Sequence, residues 1–267
     1  MQSFRFMLVA ALLATAVDAN AGCGSAFCSL NTNWSAQGAW TEAGGRFDLR
    51  YEFIDQDQPR AGTQKVGVGQ IPRDHDEVQT INRNIIAGFD YTFNPNWGVG
   101  VQLPVVNRSH SHIDTDGGGQ VPESWSFTEI GDARVVGRYR FTSEQSQSGG
   151  YGLQFGVKLP TGKFDVTNEE GEEAERSVQP GSGTTDAILG AFFNAPLGNR
   201  ATWFADVIWQ APLNERDEYR PGSRVGFDIG ASYPLTGRVA LQLQLNTLWK
   251  DRDSGANAEP VDSGGPF

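Results

Sequence analysis

The chain has 267 residues, a net charge of −11, 38 % hydrophobic residues and, besides these, 33 glycines. The acidic balance argues against nucleic acid or an anionic membrane surface as partner. No apolar run reaches the roughly 20 residues of a spanning helix. That leaves a glycine-rich, all-β profile, soluble or barrel-forming.

At the N-terminus, Arg5 precedes the apolar run Phe6 to Val17, too short to cross a bilayer, and Ala19-Asn20-Ala21 supplies a small-x-small cut. This predicts a secretory signal peptide over residues 1–21, and hence export. The two cysteines, Cys23 and Cys28, follow in CGSAFC. In an oxidising compartment a small-loop disulfide is the expectation. A lipidated Cys23 is the alternative, but Asn20 stands where a lipid-attachment motif wants Leu or Val. A metal or redox role for the pair is the third reading, and nothing nearby supports it. Residues 22–39 read as a periplasmic lead-in.

Over residues 40–250 apolar and polar residues alternate. Phe47, Leu49, Tyr51 and Phe53 interleave with Asp48, Arg50 and Glu52, and the runs Ile85 to Phe93 and Trp97 to Leu103 repeat the pattern. Ala133, Val135, Tyr139 and Phe141 oppose Asp132, Arg134, Arg138 and Arg140. The clearest run is Tyr151 to Lys158, where Leu153, Phe155 and Val157 oppose Gln154 and Lys158. Four more contain Leu189, Val207, Ile229 and Leu243. A period of two gives each strand one oily and one polar face. About nine strands of roughly 9–11 residues result, the length that crosses a bilayer when tilted.

The connections alternate in length. Asn94 to Asn96, Thr142 to Gly150, Asn194 to Arg200 and Pro234 to Arg238 are short; Asp55 to Thr80, Asn107 to Phe127, Pro160 to Thr184 and Ala211 to Ser223 are long. This rhythm predicts an antiparallel up-and-down transmembrane β-barrel, oily face on lipid, short turns in the periplasm and long loops outside. Pro104, Pro160 and Pro212 are expected to end pairing at the outer rim, since proline donates nothing to a ladder. Phe93, Trp97, Phe141, Phe193, Trp203 and Tyr233 fall beside short turns, and Trp125, Phe127, Trp209 and Trp249 beside long ones. They read as two interfacial girdles. An odd strand count leaves the barrel unclosed, and residues 251–267 read as a loop-like tail. The expectation is a truncated relative of a barrel of about ten to twelve strands.

Twelve charges on the inward face would be ruinous in a dry core. They fit a hydrated lumen, either as a salt-bridge network filling the barrel or as the lining of a solute path. The candidate lining and mouth residues are Gln102, Asp132, Arg134, Arg138, Lys158, Asp186, Asp206 and Gln210. His110 and His112 fall in the predicted loop RSHSHIDTD, where an extended chain puts both imidazoles on one side. Asp114 is the candidate third metal ligand, and a solvated polar loop is the plain alternative. Glu169 to Glu173 reads as a solvated acidic loop. No GxSxG, HExxH or CxxC motif occurs, Gly162-Lys163 lacks the spacing of a phosphate-binding loop, and no catalytic residue or cofactor is assigned.

The segments GDARVVGRYRF, YGLQFGVKLPTGKFD and QPGSGTTDAILGAFF resemble the outer-membrane transporters named for the MetA pathway of phenol degradation. The resemblance runs from about Trp40 to Lys250, and LPTGKFD and GSGTTD are its most specific parts. It implies an outer-membrane barrel passing small organic or aromatic compounds; the missing closing strands depart from the family pattern. The expected function is a passive channel for a small solute, set among outer-membrane lipid and lipopolysaccharide. A plugged barrel with a structural, metal- or partner-binding role is the alternative, and a soluble exported β-sandwich the third. The sequence assigns no oligomeric state.

Overall fold

The alternating runs become strands. The computed structural model describes residues 42–58, 60–61, 64–70, 75–116, 119–141, 149–237 and 239–258. The signal peptide, the lead-in, the Cys23 and Cys28 pair and residues 259–267 lie outside the described residues. In chain order the strands are β1 (Gly44–Gln56), β2 (Arg60–Ala61), β3 (Gln64–Lys65), β4 (His75–Thr92), β5 (Trp97–Asp116) and β6 (Gly119–Ile130). They continue with β7 (Arg134–Phe141), β8 (Gly150–Lys158), β9 (Asp186–Leu197), β10 (Ala201–Pro212), β11 (Arg224–Pro234) and β12 (Ala240–Lys250). One antiparallel sheet runs β1-β4-β5-β7-β8-β9-β10-β11-β12, with β6 pairing β5 beside that path; β2 and β3 form a separate two-stranded ribbon. The sheet is a half-barrel. Among the described residues β1 and β12 are its two edges, and they do not pair with each other.

The oily side faces out. Phe47 is 70 % exposed and Leu243 80 %, and the apolar residues at alternate positions of β1, β4, β5, β8, β11 and β12 are exposed with them. Register lines carry this belt across the sheet, for example Phe47-Phe89-Val101-Val135-Val157-Ala187. A soluble sandwich would bury these side chains, so that alternative does not hold. Near the short turns Phe93, Trp97, Phe141, Phe193 and Tyr233 are exposed, with rings in contact at Trp97–Tyr139 (4.7 Å), Phe141–Tyr151 (5.2 Å) and Phe193–Trp203 (4.9 Å). Trp209 and Trp249 are exposed at the other end.

Small residues inside make room for large charges. A Cβ on inward Gly100 would meet Asp90 Oδ1 at 2.5 Å, and one on Gly98 would meet Arg138 Nη2 at 2.7 Å. Glycine in these strands therefore reflects close approach rather than backbone freedom.

Three expectations are corrected. Asn107 to Phe127 is not a loop: β5 runs on to Asp116 and turns back as β6, register-paired from Val105↔Ile130 to Asp116↔Gly119. Pro104 does not end its strand. It sits where β5 changes partner, from β7 (last pair Gln102↔Arg134) to β6 (first pair Val105↔Ile130), and its carbonyl accepts from Gly131 N at 2.9 Å. A residue without an N–H suits that gap. Trp125 and Phe127 are not girdle residues. They point inward and, with Val106, Val166, Ala174 and Val178, form a small buried core.

Candidate functional site

The inner wall at the long-loop end is a charged, buried network. Alternation turns Asp132, Lys158, Asp186 and Gln210 inward from neighbouring strands or their first turns, and each is under 10 % exposed. Lys158 Nζ lies 2.9 Å from Asp132 Oδ2 and 3.2 Å from Asp186 Oδ1, and it also donates to Ser182 Oγ and, at 3.3 Å, to Thr184 Oγ1. Gln210 donates to Asp186 Oδ2, and its own carbonyl accepts from Arg224 Nε at 3.1 Å. One cation thus holds two carboxylates and two hydroxyls, which is how a buried charge is tolerated.

Ser182 and Thr184 come from the connection between β8 and β9, residues 159–185. Its second half folds into the mouth: Val178, Gln179 and Thr184 are each 1 % exposed or less. The two arms of this connection cross at Gly162 and Gly181, where Gly181 N donates to Lys163 O at 2.8 Å. A Cβ on Gly181 would meet Gly162 O at 2.5 Å, so the crossing needs both glycines. Gln179 knits the insert with bonds from its amide to Val166 O (3.2 Å) and Ala174 O (2.7 Å), and accepts from Val166 N at 2.9 Å. Arg108 ties it to the wall: Nε donates to Asn82 Oδ1 at 2.6 Å, and Nη1 to the carbonyls of Val178 and Gln179. Glu169 to Glu173 stays exposed at the outer bend.

The tail is partly a clasp. Ser254 bridges to Arg220. Buried Asp253 accepts from Tyr219 Oη (2.7 Å), Gly222 N (2.7 Å) and Lys250 Nζ (2.6 Å). Burial is the main cause that pushes the Tyr219 phenol well above its ordinary value, and the charge and hydrogen bond of Asp253 add to it.

Below the insert lies a cavity of about 140 Å³, and a second of about 130 Å³ continues toward the short-turn end. Gln102, Arg134 and Gln210 line both; Asp132, Lys158 and Asp186 line the upper one. Arg138 and Asp206 are buried on the inner wall nearer the short turns and line neither. Arg224 lines both cavities and Arg108 the upper one. Arg224 was readable, because it has the parity of Gly226 and Asp228; Arg108 has the parity of His110.

His110 and His112 sit on β5, not in a loop, and both face inward beside Trp125. Asp114 shares their side of the strand, one step farther out. The carboxylate that converges with the two imidazoles is Glu175, from the insert.

In fold the chain is similar to an outer-membrane channel of Pseudomonas putida F1 known from a crystal structure. The TM-score is 0.59 at 13 % identity, over 82 % of this chain and 77 % of that one. The CymD monoaromatic hydrocarbon channel matches with a TM-score of 0.40 at 12 % identity, over 67 % of this chain and 49 % of that one. No family model and no curated protein matches the sequence. The likeness is one of fold, that of outer-membrane β-barrel channels.

Proposed function

We propose that this chain is an outer-membrane channel that passes a small solute through a charged lumen. The observation that carries the reading is the inside-out sheet: an apolar exterior belted by aromatics, and a polar interior holding two consecutive cavities. The signal-like N-terminus supports export, with lipid and lipopolysaccharide as neighbours. In this reading the wall is completed in the membrane by backbone paired to β1 and β12, the edges of the sheet among the described residues. Both charge signs line the upper cavity, so the reading includes no strong anion or cation preference. The resemblance to the MetA-pathway transporters extends it to a small organic, aromatic solute. The test is solute flux into liposomes containing the purified, folded chain. Size-limited leakage is the expected result; vesicles as tight as protein-free ones would overturn the reading.

A second reading is favoured by the insert. Residues 174–184 fill the mouth with mostly buried side chains bonded to the inner faces of β5 and β8, as in a plugged barrel that does not conduct. Flux that appears only after the insert is cut or loosened would favour it.

A further inference from the structure

We propose that His110, His112 and Glu175 form a binding site for one divalent first-row transition cation, of which zinc is the type, linking the insert to the barrel wall. The site does not depend on whether the lumen conducts.

Three cross-strand rows build it. Asn82-Arg108-Phe127, Thr80-His110-Trp125 and Glu77-His112-Glu123 stack along the inner faces of β4, β5 and β6. They lie beyond the apolar belt: on the outer face at this end stand Arg83, Asn107 and Thr128, hydrogen-bonded in a row. Glu77 and Thr80 are three apart, so strict alternation would put them on opposite faces. A register shift between Glu77 and Gln79 brings both inward. Bulges of this kind re-aim side chains and gather at functional sites.

The donor geometry is that of a coordination edge. His110 Nε2 and His112 Nδ1 stand 3.3 Å apart, and His112 Nδ1 stands 3.0 Å from Glu175 Oε1. A tetrahedral ion with bonds of about 2.0–2.1 Å spaces its ligand atoms about 3.3 Å apart. The far ring nitrogens are already held. His112 Nε2 lies 3.2 Å from Glu123 Oε2, while His110 Nδ1 lies 2.8 Å from Thr80 Oγ1 and 3.7 Å from Glu77 Oε2. An oxygen acceptor on the far nitrogen receives a hydrogen bond from the ring N–H and turns the near lone pair toward the ion, the usual support of a metal-bound histidine. Glu77, Glu123 and Glu175 place three carboxylates around the imidazoles, against the Arg108 guanidinium that acts on His110. The neutral imidazole is the form that ligates. Imidazoles with a carboxylate suit zinc and its neighbours rather than calcium or magnesium. The competing arrangement is a doubly protonated His112 shared between Glu123 and Glu175, with no metal.

The test uses the full exported chain, folded in detergent, with Cys23→Ser and Cys28→Ser so that no thiolate competes. It is dialysed against zinc and then against buffer, and read by elemental analysis and calorimetry. One zinc per chain is expected. H110A and H112A should each abolish retention, and E175Q should weaken it by about tenfold or more. E123Q, which acts through His112, should weaken it by about 10–100-fold, while D114N should leave it unchanged. A second readout guards against variants that misfold: zinc should slow tryptic cleavage after Arg176 in the parent chain, and not in E175Q. No zinc retained by the parent chain, retention unchanged in E175Q, or zinc-independent cleavage in the folded parent would each overturn the proposal.

Discussion

Replacing Lys158 by Met tests whether the buried network holds the insert. Met keeps the length of the stem and removes the charge, so packing changes little. What remains is two carboxylates, Asp132 and Asp186, each under 10 % exposed, facing each other without their shared cation. Breaking a buried pair in this way costs about 3–5 kcal/mol. Arg134 and Arg224 both feel the field of these two acids, which places the expected cost near the lower figure, about 3 kcal/mol. At about 2–4 °C per kcal/mol for a chain of this size, the midpoint of thermal unfolding should fall by roughly 6–12 °C. The assay is the loss of heat-modifiable gel migration as temperature rises, with tryptic cleavage after Lys163 and Arg176 as the local readout. Adding Asp132→Asn and Asp186→Asn to Lys158→Met should restore most of the midpoint, because the amides keep hydrogen bonds and lose the repulsion. A Lys158→Met midpoint indistinguishable from the parent, with no faster cleavage, would refute the argument.

Three further outcomes are expected. Leu153→Arg puts a charge in the middle of the outer belt and should destabilise the folded state in vesicles by about 2–4 kcal/mol; an unchanged unfolding curve would mean that this face does not meet hydrocarbon. Gly181→Val forces apart the crossing of the insert with Gly162, so the barrel should still fold while cleavage after Arg176 quickens, and equal protection would show that the crossing has room. Tyr219 stays protonated in the folded chain above its ordinary pKa of 10, whereas the unfolded chain ionises there and binds fewer protons. Stability should therefore fall as pH rises past about 10, by up to about 1.4 kcal/mol per pH unit. Tyr219→Phe should lose that part of the slope; parallel profiles would count against the buried phenol.

What was legible in the sequence was whatever the bilayer enforces. Within the strand segments from Phe47 to Leu245 that carry the outer belt, oily residues alternate with polar ones, so hydropathy alone marks strand, face and parity. Parity in the sequence puts Asp132, Lys158, Asp186 and Gln210 on the inward face. Beyond the hydrocarbon that contrast vanishes. In RSHSHID and ESWSFTE neither face is an oily run, Ile113 being the one aliphatic residue, so an extended hairpin reads as loop, although size still alternates: Ser against His, and Ser or Thr against Trp and Phe. The insert was hidden for another reason. Nothing periodic announces that residues 174–184 turn inward; the cause is one contact between Gly162 and Gly181, nearly 20 positions apart. Glu175 follows from that path. Asp114, near in sequence and on the right side of β5, looked the better partner.

The two margins that the sheet has among the described residues, β1 and β12, carry a thermodynamic demand. Along β1 about every second residue aims its N–H and C=O away from β4, and β12 does the same away from β11. Water satisfies such groups at no cost, whereas hydrocarbon charges several kcal/mol for each one left bare. Over strands of 13 and 11 residues that sum exceeds the net stability of an ordinary domain. A sheet set in hydrocarbon with such borders is stable only when further backbone pairs along them, so its margins have the character of a template as much as of a wall.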